Sequence, residues 1–278
     1  MHAVEAGVRV AEQFGLRVEV PVLLRSTNNV VAWLRPSPVV AKIGVGRQRG
    51  FARELPLALE LTALGAPVVP PAPEIPAVVH VLDDFQISFW RYYPQPPDVE
   101  IAAEPVAAAL LRLHAACARI STELRAEFPS YLVELMSVSE LLLDASKLSA
   151  LHAQDRHLLI SMFDRLWKRL QEASSADTHV VIHGSPHPDN VLLADGEPRF
   201  IDFETTCLGP VEWDLAHTSP DTVNSYAGAV DTQLLQICRD MVRVKTAAWC
   251  WAEVDRGDLR YHAETHLAHL KEMCAGHA

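Results

Sequence analysis

The chain has 278 residues, of which 49% are hydrophobic and 21% are charged, a composition typical of a globular protein. It carries 24 Lys and Arg against 35 Asp and Glu, so its formal net charge is −11. A chain this acidic is a poor ligand for nucleic-acid phosphates, and no apolar run reaches the roughly 20 residues of a membrane-spanning helix. We therefore expect neither nucleic acid nor a membrane as a partner. Five scattered cysteines without a C-x-x-C pair, and an N-terminus without a signal-peptide pattern, predict a cytoplasmic location.

The charge is distributed unevenly along the chain. Residues 1–90 carry eight acidic and eight basic side chains, whereas residues 91–278 carry the whole negative excess. Such asymmetry predicts two structural parts, with a boundary near residue 90.

The first part is predicted to be a small antiparallel sheet with one helix. Runs of β-branched and aliphatic residues at 18–24, 30–34 and 39–43 indicate strands, and residues 77–82 and 85–90 indicate two more. A turn is expected at residues 26–29, which are rich in Asn. The leucines at 57, 61 and 64 have helical spacing, and Pro56 is expected within the first turn of that helix.

The second part is predicted to be mainly helical. It follows a proline-rich hinge at residues 92–97, and helical periodicity recurs at 106–117, 158–170, 231–253 and 258–274. A non-helical island at 180–214 combines short apolar strands with polar loops. The predicted fold class is therefore α+β, with a sheet-rich small lobe, a helical large lobe and a ligand cleft at the hinge.

The polar island contains the residues with the clearest chemistry. Asn190 and Asp202 are hard oxygen donors on neighbouring strand-flanked loops, and such donors are the ligands that Mg²⁺ prefers. The alternative is a buried polar turn in which both side chains cap backbone groups.

Lys42 lies inside the third predicted strand, where a lysine can either face solvent or point into the cleft. A cleft-facing lysine would hold phosphate oxygens and would need a carboxylate to fix it. Glu54 or Glu60 on the following helix could supply that carboxylate.

The order of these features resembles the aminoglycoside phosphotransferase and choline kinase family, which has a protein-kinase-like fold. The resemblance comprises Ala41-Lys42 on a strand, a helix with a glutamate, a hinge, H-G-x-x-x-x-x-N at 183–190 and I-D-F at 201–203, and it covers nearly the whole chain. It implies an ATP- and Mg²⁺-dependent phosphotransferase acting on a hydroxyl of a small molecule. Residues 1–90 would then bind the nucleotide, and residues 91–278 would carry the catalytic loop and the acceptor site.

The resemblance also implies a role for each matching residue. Lys42 would bind the nucleotide phosphates and Glu54 would anchor it, with Glu60 as the runner-up. Asn190 and Asp202 would hold the metal. The turn at 26–29, with Asn28 as its candidate contact, would cover the phosphates, although it lacks the glycine that related turns often contain.

The catalytic loop departs from the family pattern at one decisive position. The usual H-G-D-x-x-x-x-N motif has an Asp that orients or deprotonates the attacking hydroxyl, and here that position is Ser185. Asp189 or His187 could substitute, while His183 is expected to hold the loop by hydrogen bonds. The alternative function is a pseudokinase that binds nucleotide or another ligand without efficient transfer.

Two further expectations concern partners. The acidic large lobe is compatible with a cationic acceptor such as an amino sugar or a choline-like amine, and the protein is expected to be a monomer or a homodimer.

Histidines 262, 266 and 269 share one helix face, which would suit a metal-dependent hydrolase. Because no H-E-x-x-H motif accompanies them, a solvated helix face is favoured.

Overall fold

A computed structural model describes residues 2–26, 28–46, 49–96, 100–257 and 259–275. Its helices are α1 Ala3–Gln13, α2 Arg49–Ala63, α3 Ala103–Cys117, α4 Thr122–Arg125, α5 Tyr131–Leu143, α6 Ala153–Ala173, α7 Val211–Leu215, α8 Pro220–Ser225, α9 Thr232–Ala252 and α10 Leu259–Ala275. Its strands are β1 Val18–Ser26, β2 Val30–Pro36, β3 Val39–Val45, β4 His80–Leu82, β5 Phe85–Arg91, β6 Val180–Ile182, β7 Val191–Ala194, β8 Glu197–Phe200 and β9 Cys207–Gly209.

Contacts divide the chain into two compact units. The first comprises Met1–Phe128, His183–Thr206 and Pro220–Gly228, and the second comprises Pro129–Ile182, Cys207–Ser219 and Ala229–Ala278. The first unit thus contains both the N-terminal sheet and the loop that follows β6. The boundary near residue 90 remains a prediction about the two lobes.

The first unit is built on a five-stranded antiparallel sheet in the order β1-β2-β3-β5-β4. One face of this sheet packs against α1, where Ala6, Val10 and Ala11 belong to the same buried cluster as Ile43 and Ile87. Helix α1 was not predicted from the sequence, because its buried face consists mostly of small residues. The opposite face of the sheet is the one that carries Lys42.

Helix α2 begins earlier than predicted. The structure places its first residue at Arg49, so Pro56 lies in the helix interior and not in its first turn. Pro56 is exposed, and the missing backbone hydrogen bond therefore falls on the solvent side. The earlier start places Glu54 within the helix, on the face that is buried.

A proline-rich segment at residues 67–76, between α2 and β4, joins the sheet to the β7–β8 hairpin inside the same unit. The amide of Val69 donates to the carbonyl of Phe200 on β8 at 3.0 Å, and the amide of Arg91 on β5 donates to the carbonyl of Pro70 at 3.1 Å. The segment therefore bridges β5 and β8 and fixes the hairpin beside the sheet.

The second unit is helical, with α5, α6, α9 and α10 around a core that includes the fully buried Leu135, Leu159, Met241 and Trp213. A two-stranded pairing of β6 and β9 lies within this unit. The predicted α+β class is confirmed, because the antiparallel sheet is N-terminal and the helices predominate C-terminally. Among the described residues, no helix is long and apolar enough to cross a membrane.

Candidate active site

Lys42 lies at the centre of a cluster of carboxylates. Its Nζ is 2.9 and 3.0 Å from the two carboxylate oxygens of Glu54, 2.8 Å from Oδ1 of Asp202 and 2.7 Å from Oε1 of Glu204. Lys42 is only 7% exposed, so its side chain faces the cleft and not the solvent. Burial acts to lower the pKa of Lys42, but the three carboxylates outweigh it and raise the pKa. The lysine is therefore an ammonium ion at every physiological pH.

Glu54 is itself held in place by a second contact besides Lys42. It is 1% exposed, and its Oε1 also accepts a hydrogen bond of 3.0 Å from the backbone amide of Phe203. Glu60, the runner-up for this role, instead accepts hydrogen bonds from the backbone amide and the hydroxyl of Ser121. The structure thus brings Lys42 together with Glu54 and places Glu60 elsewhere.

Asp202 is held in an unusual backbone conformation. Its φ and ψ are both 66°, in the left-handed region that a residue with a Cβ adopts at a cost of about 1–2 kcal/mol. Burial acts to raise the pKa of Asp202, but the charge of Lys42 and its hydrogen bond outweigh this and lower the pKa. The site therefore keeps an ionised carboxylate beside Lys42.

The loop from His183 to Asn190 is fixed by its first two residues. His183 is fully buried, and its Nε2 donates to the carbonyl of Ile201 at 2.9 Å. Gly184 has a φ of 90°, and a Cβ there would lie 2.1 Å from the carbonyl oxygen of Thr205. Only glycine fits this close approach, which holds the loop against the segment that follows Asp202. The hydrogen bond from His183 to Ile201 therefore helps to position the loop.

Asn190 ends this loop, and only one of the two polar atoms of its side-chain amide has a hydrogen-bond partner. Its Nδ2 donates to the carbonyl of Ser185 at 3.0 Å, whereas its Oδ1 is buried and accepts no hydrogen bond from the described residues. An unsatisfied buried oxygen is costly unless a ligand completes it. Asn190 Oδ1 and the carboxylate of Asp202, which is one of the three carboxylates around Lys42, are suitable donors for a divalent cation.

A cleft of about 550 Å³ joins these groups within the first compact unit. Seven of the eight predicted site residues line it, namely Asn28, Lys42, Glu54, Ser185, Asp189, Asn190 and Asp202. The eighth, His183, is fully buried and does not line the cleft. The cleft is also lined by an apolar cluster that includes Val40, Val69, Trp90 and Ile201. A site with one charged part and one apolar part suits a ligand of the same character, such as a nucleotide.

Ser185, which stands where the resemblance implies a catalytic Asp, also lines the cleft. Two titratable side chains on the same loop line it too. Asp189 is 78% exposed at its side chain, and its Oδ2 is 3.8 Å from Nδ1 of His187. Burial lowers the pKa of His187, with smaller opposing and reinforcing effects from nearby charges.

Sequence reasoning missed two residues of this site. Asn29, and not the exposed Asn28, is buried in the β1–β2 turn and donates from Nδ2 to Oε1 of Glu204 at 2.7 Å. Glu204 follows the I-D-F motif, and its position two residues after Asp202 was the available signal. Among the described residues, no group of three His, Cys, Asp or Glu side chains, including the α10 histidines, is arranged to hold a metal.

The comparisons with known proteins place this geometry in context. A family model described as the phosphotransferase enzyme family matches residues 25–241. No curated protein matches the sequence. Among solved structures, the chain is similar to an amicoumacin kinase in complex with AMP-PNP and Ca²⁺, at 14% identity and a TM-score of 0.72, covering 95% of this chain and 93% of that one.

Two other solved structures have the same fold. One is the GDP complex of aminoglycoside 2'-phosphotransferase-IIIa, at 15% identity and a TM-score of 0.70, with 100% of both chains covered. The other is a choline/ethanolamine kinase family protein from Mesorhizobium loti, at 16% identity and a TM-score of 0.64, covering 95% of this chain and 93% of that one. At such low identity these likenesses establish the fold.

Proposed function

Because the chain belongs to the phosphotransferase enzyme family, we propose that it transfers the γ-phosphate of ATP to a hydroxyl of a small molecule with the help of Mg²⁺. The observation that carries this proposal is the convergence of Lys42, Asp202 and the unsatisfied Asn190 Oδ1 in one cleft. The apolar cluster around Trp90 would take the base of the nucleotide, and the charged residues around Lys42 would take its phosphates.

Each side chain has a proposed task. The Lys42 ammonium, held by Glu54, would bind phosphate oxygens, and Asn190 and Asp202 would hold the metal. A bound divalent cation would neutralise phosphate charge, which is its usual contribution to phosphoryl transfer. If the carboxylates of Asp202 and Glu204 turned towards such a cation, they would no longer pair with Lys42. The Lys42 ammonium would then be available to phosphate oxygens.

The serine at position 185 sets the expected rate. Phosphoryl transfer has a loose transition state, so positioning and charge stabilisation supply most of the acceleration. A general base typically contributes about 10²–10⁴-fold. We therefore expect a slow enzyme, in which Ser185 lies beside the acceptor hydroxyl and His187 or Asp189 is the nearest group on the loop able to accept a proton.

The proposed acceptor is a small cationic alcohol, such as an amino sugar or a choline-like amine. The net charge of −11 favours a cation by long-range attraction. The names of the structural neighbours, an amicoumacin kinase and an aminoglycoside phosphotransferase, agree with a small-molecule acceptor. The proposed location is the cytoplasm, where the five cysteines would stay reduced, as thiols.

The test is phosphate transfer from ATP to a panel of aminoglycosides and choline-like amines. We expect slow, Mg²⁺-dependent transfer to at least one acceptor, and Asp202→Asn should abolish it. Asp195→Asn is the matched control, because Asp195 is an exposed carboxylate in the β7–β8 turn. Tight Mg-ATP binding without transfer to any acceptor would favour the alternative, a nucleotide-binding pseudokinase, for which Ser185 is the supporting observation.

A further inference from the structure

The register of the β1–β2 hairpin changes next to Arg25. Leu23 pairs with Ala32, but the next paired residue on β1 is Arg25, opposite Val31. Leu24 is therefore the extra residue of a β-bulge. Bulges of this kind often occur beside active sites, where they redirect a side chain.

The bulge decides which face of the sheet Arg25 occupies. In regular pairing Arg25 would lie opposite Val30, which packs against the core beneath α1. In the observed register it lies opposite Val31, and Val31 lies opposite Lys42 on the next strand. Directly paired residues share a face, so Arg25 and Lys42 stand on the same face two strands apart, at about 10 Å. Both line the cleft.

The positive charge of Arg25 affects the pKa values of two other residues that line the cleft, Asp202 and His187. Burial raises the pKa of Asp202, whereas Lys42 lowers it most, and Arg25 adds a smaller lowering effect. Arg25 also adds to the lowering of the pKa of His187, which is mainly due to burial. Among the described residues no carboxylate forms an ion pair with the Arg25 guanidinium. Its fork of N–H donors is thus available to an anion in the cleft.

The phosphate-covering turn needs such a donor. Turns that bind phosphate through backbone amides rely on glycine for close approach, and residues 26–29 contain none. A guanidinium projecting from the strand just before the turn can supply the missing hydrogen bonds from a side chain. Arginine suits this role because it binds phosphate oxygens in pairs.

We propose that Arg25 binds the terminal phosphates of the nucleotide from the side opposite Lys42, in place of a glycine-rich backbone cradle. This inference rests on the proposed nucleotide-binding function. Arg25 and Lys42 clamp the phosphate chain from two strands of one sheet face. The Leu24 bulge is the structural device that makes this clamp.

Calorimetric binding of ATP, ADP and adenosine in the presence of Mg²⁺ tests the proposal. Arg25→Ala should weaken ATP binding by about 10–100-fold, as expected for losing a charge-assisted contact, with a smaller loss for ADP and none for adenosine. Arg25→Lys should recover part of the ATP affinity. Arg17→Ala is the matched control, because Arg17 is 80% exposed at its side chain and pairs with Glu19 just before β1.

The outcomes separate this inference from the function on which it rests. If the wild type binds ATP in a Lys42-dependent manner but Arg25→Ala binds it equally well, the Arg25 proposal is wrong and the function stands. Equal losses for ATP and adenosine would also contradict it, since they would indicate a merely structural role. If the wild type binds no nucleotide, both fail. Circular dichroism of each variant confirms that it is folded.

Discussion

At the scale of single residues, the site depends on one ammonium ion balanced against three carboxylates. Lys42 contacts Glu54, Asp202 and Glu204 within 3.0 Å, so negative charge exceeds positive charge around it even though burial raises the pKa of Glu54 to about 7. This excess is a physical reason for the cluster to bind a further cation. It also makes Lys42 important for stability in the absence of ligands.

Replacing Lys42 should therefore destabilise the ligand-free protein. Lys42→Ala would leave Glu54 buried without its partner, a change that typically costs about 3–5 kcal/mol. Denaturant unfolding should show this loss, and Glu204→Gln should cost less because the Glu204 side chain is 21% exposed. Equal stability of Lys42→Ala and the wild type would contradict the electrostatic account.

Gly184 offers a second test at this scale, with a matched control in the same chain. Gly184→Ala would push a Cβ to 2.1 Å from the Thr205 carbonyl oxygen, so we expect a loss of about 3 kcal/mol or more, or failure to fold. Gly196→Ala has a similar φ of 83° but open space around the Cβ. It should cost only the backbone strain, about 1–2 kcal/mol. Similar losses for the two variants in thermal unfolding would show that the close approach is unimportant.

The sequence predicted which residues meet in the cleft better than it predicted their local geometry. Lys42, Glu54, Asn190 and Asp202 could be chosen because their residue types and order are distinctive. Asn28 was named as the contact of the turn, whereas Asn29 is the buried one, because the sequence does not show which of two adjacent asparagines a turn buries. Glu204 was missed although it stands two residues after Asp202, because that position alone does not show that its carboxylate reaches Lys42.

At the scale of elements, two irregularities position the site. Helix α2 continues through Pro56, which propensity alone would place in a first turn, because the proline faces solvent and buried neighbours hold both halves of the helix. Strand β1 contains a bulge that no composition rule predicts. Strands rich in β-branched residues were predicted well, whereas α1 was missed because small buried residues give a weak periodic signal.

Helix α10 should contribute a pH dependence to stability. Burial, together with the charges of His262, Arg243 and His269, lowers the pKa of His266 below its ordinary value of 6.5. The unfolded chain therefore takes up this proton first, so stability should fall as the pH drops through about 6.5 and should be unaffected above it. His266→Gln should flatten this part of the profile in denaturant unfolding. An unchanged slope, with His157→Gln as a surface histidine control, would contradict the assignment.

At the scale of the whole molecule, the order of motifs along the chain carried the family. Each motif is weak alone, but their sequence from Lys42 to residue 203 resembled one family, and the match over residues 25–241 confirms that resemblance. The α+β architecture follows from the same order, with the sheet first and the helices after it. The identity of the acceptor could not be predicted from the sequence, because no sequence motif specifies the ligand of a pocket that is built from helices.

Ligands that bind only the folded protein should raise its melting temperature. At a concentration 100-fold above its dissociation constant, Mg-ATP should add about 2.7 kcal/mol to the free energy of unfolding. ATP with EDTA should stabilise far less, because Asp202 and Glu204 would repel its phosphates. Equal melting temperatures with Mg-ATP and with ATP and EDTA would argue against a metal at this site.

The most direct test of the account is to measure Mn²⁺ binding by electron paramagnetic resonance in the presence of AMP-PNP. We predict nucleotide-dependent binding of Mn²⁺ to the wild type, at least tenfold weaker in Asn190→Ala and in Asp202→Asn, and unchanged in Asn224→Ala, whose side chain is exposed on α8. Wild-type protein that takes up no Mn²⁺, or the same uptake in all four proteins, would contradict the claim that Asn190 and Asp202 hold a divalent cation beside Lys42.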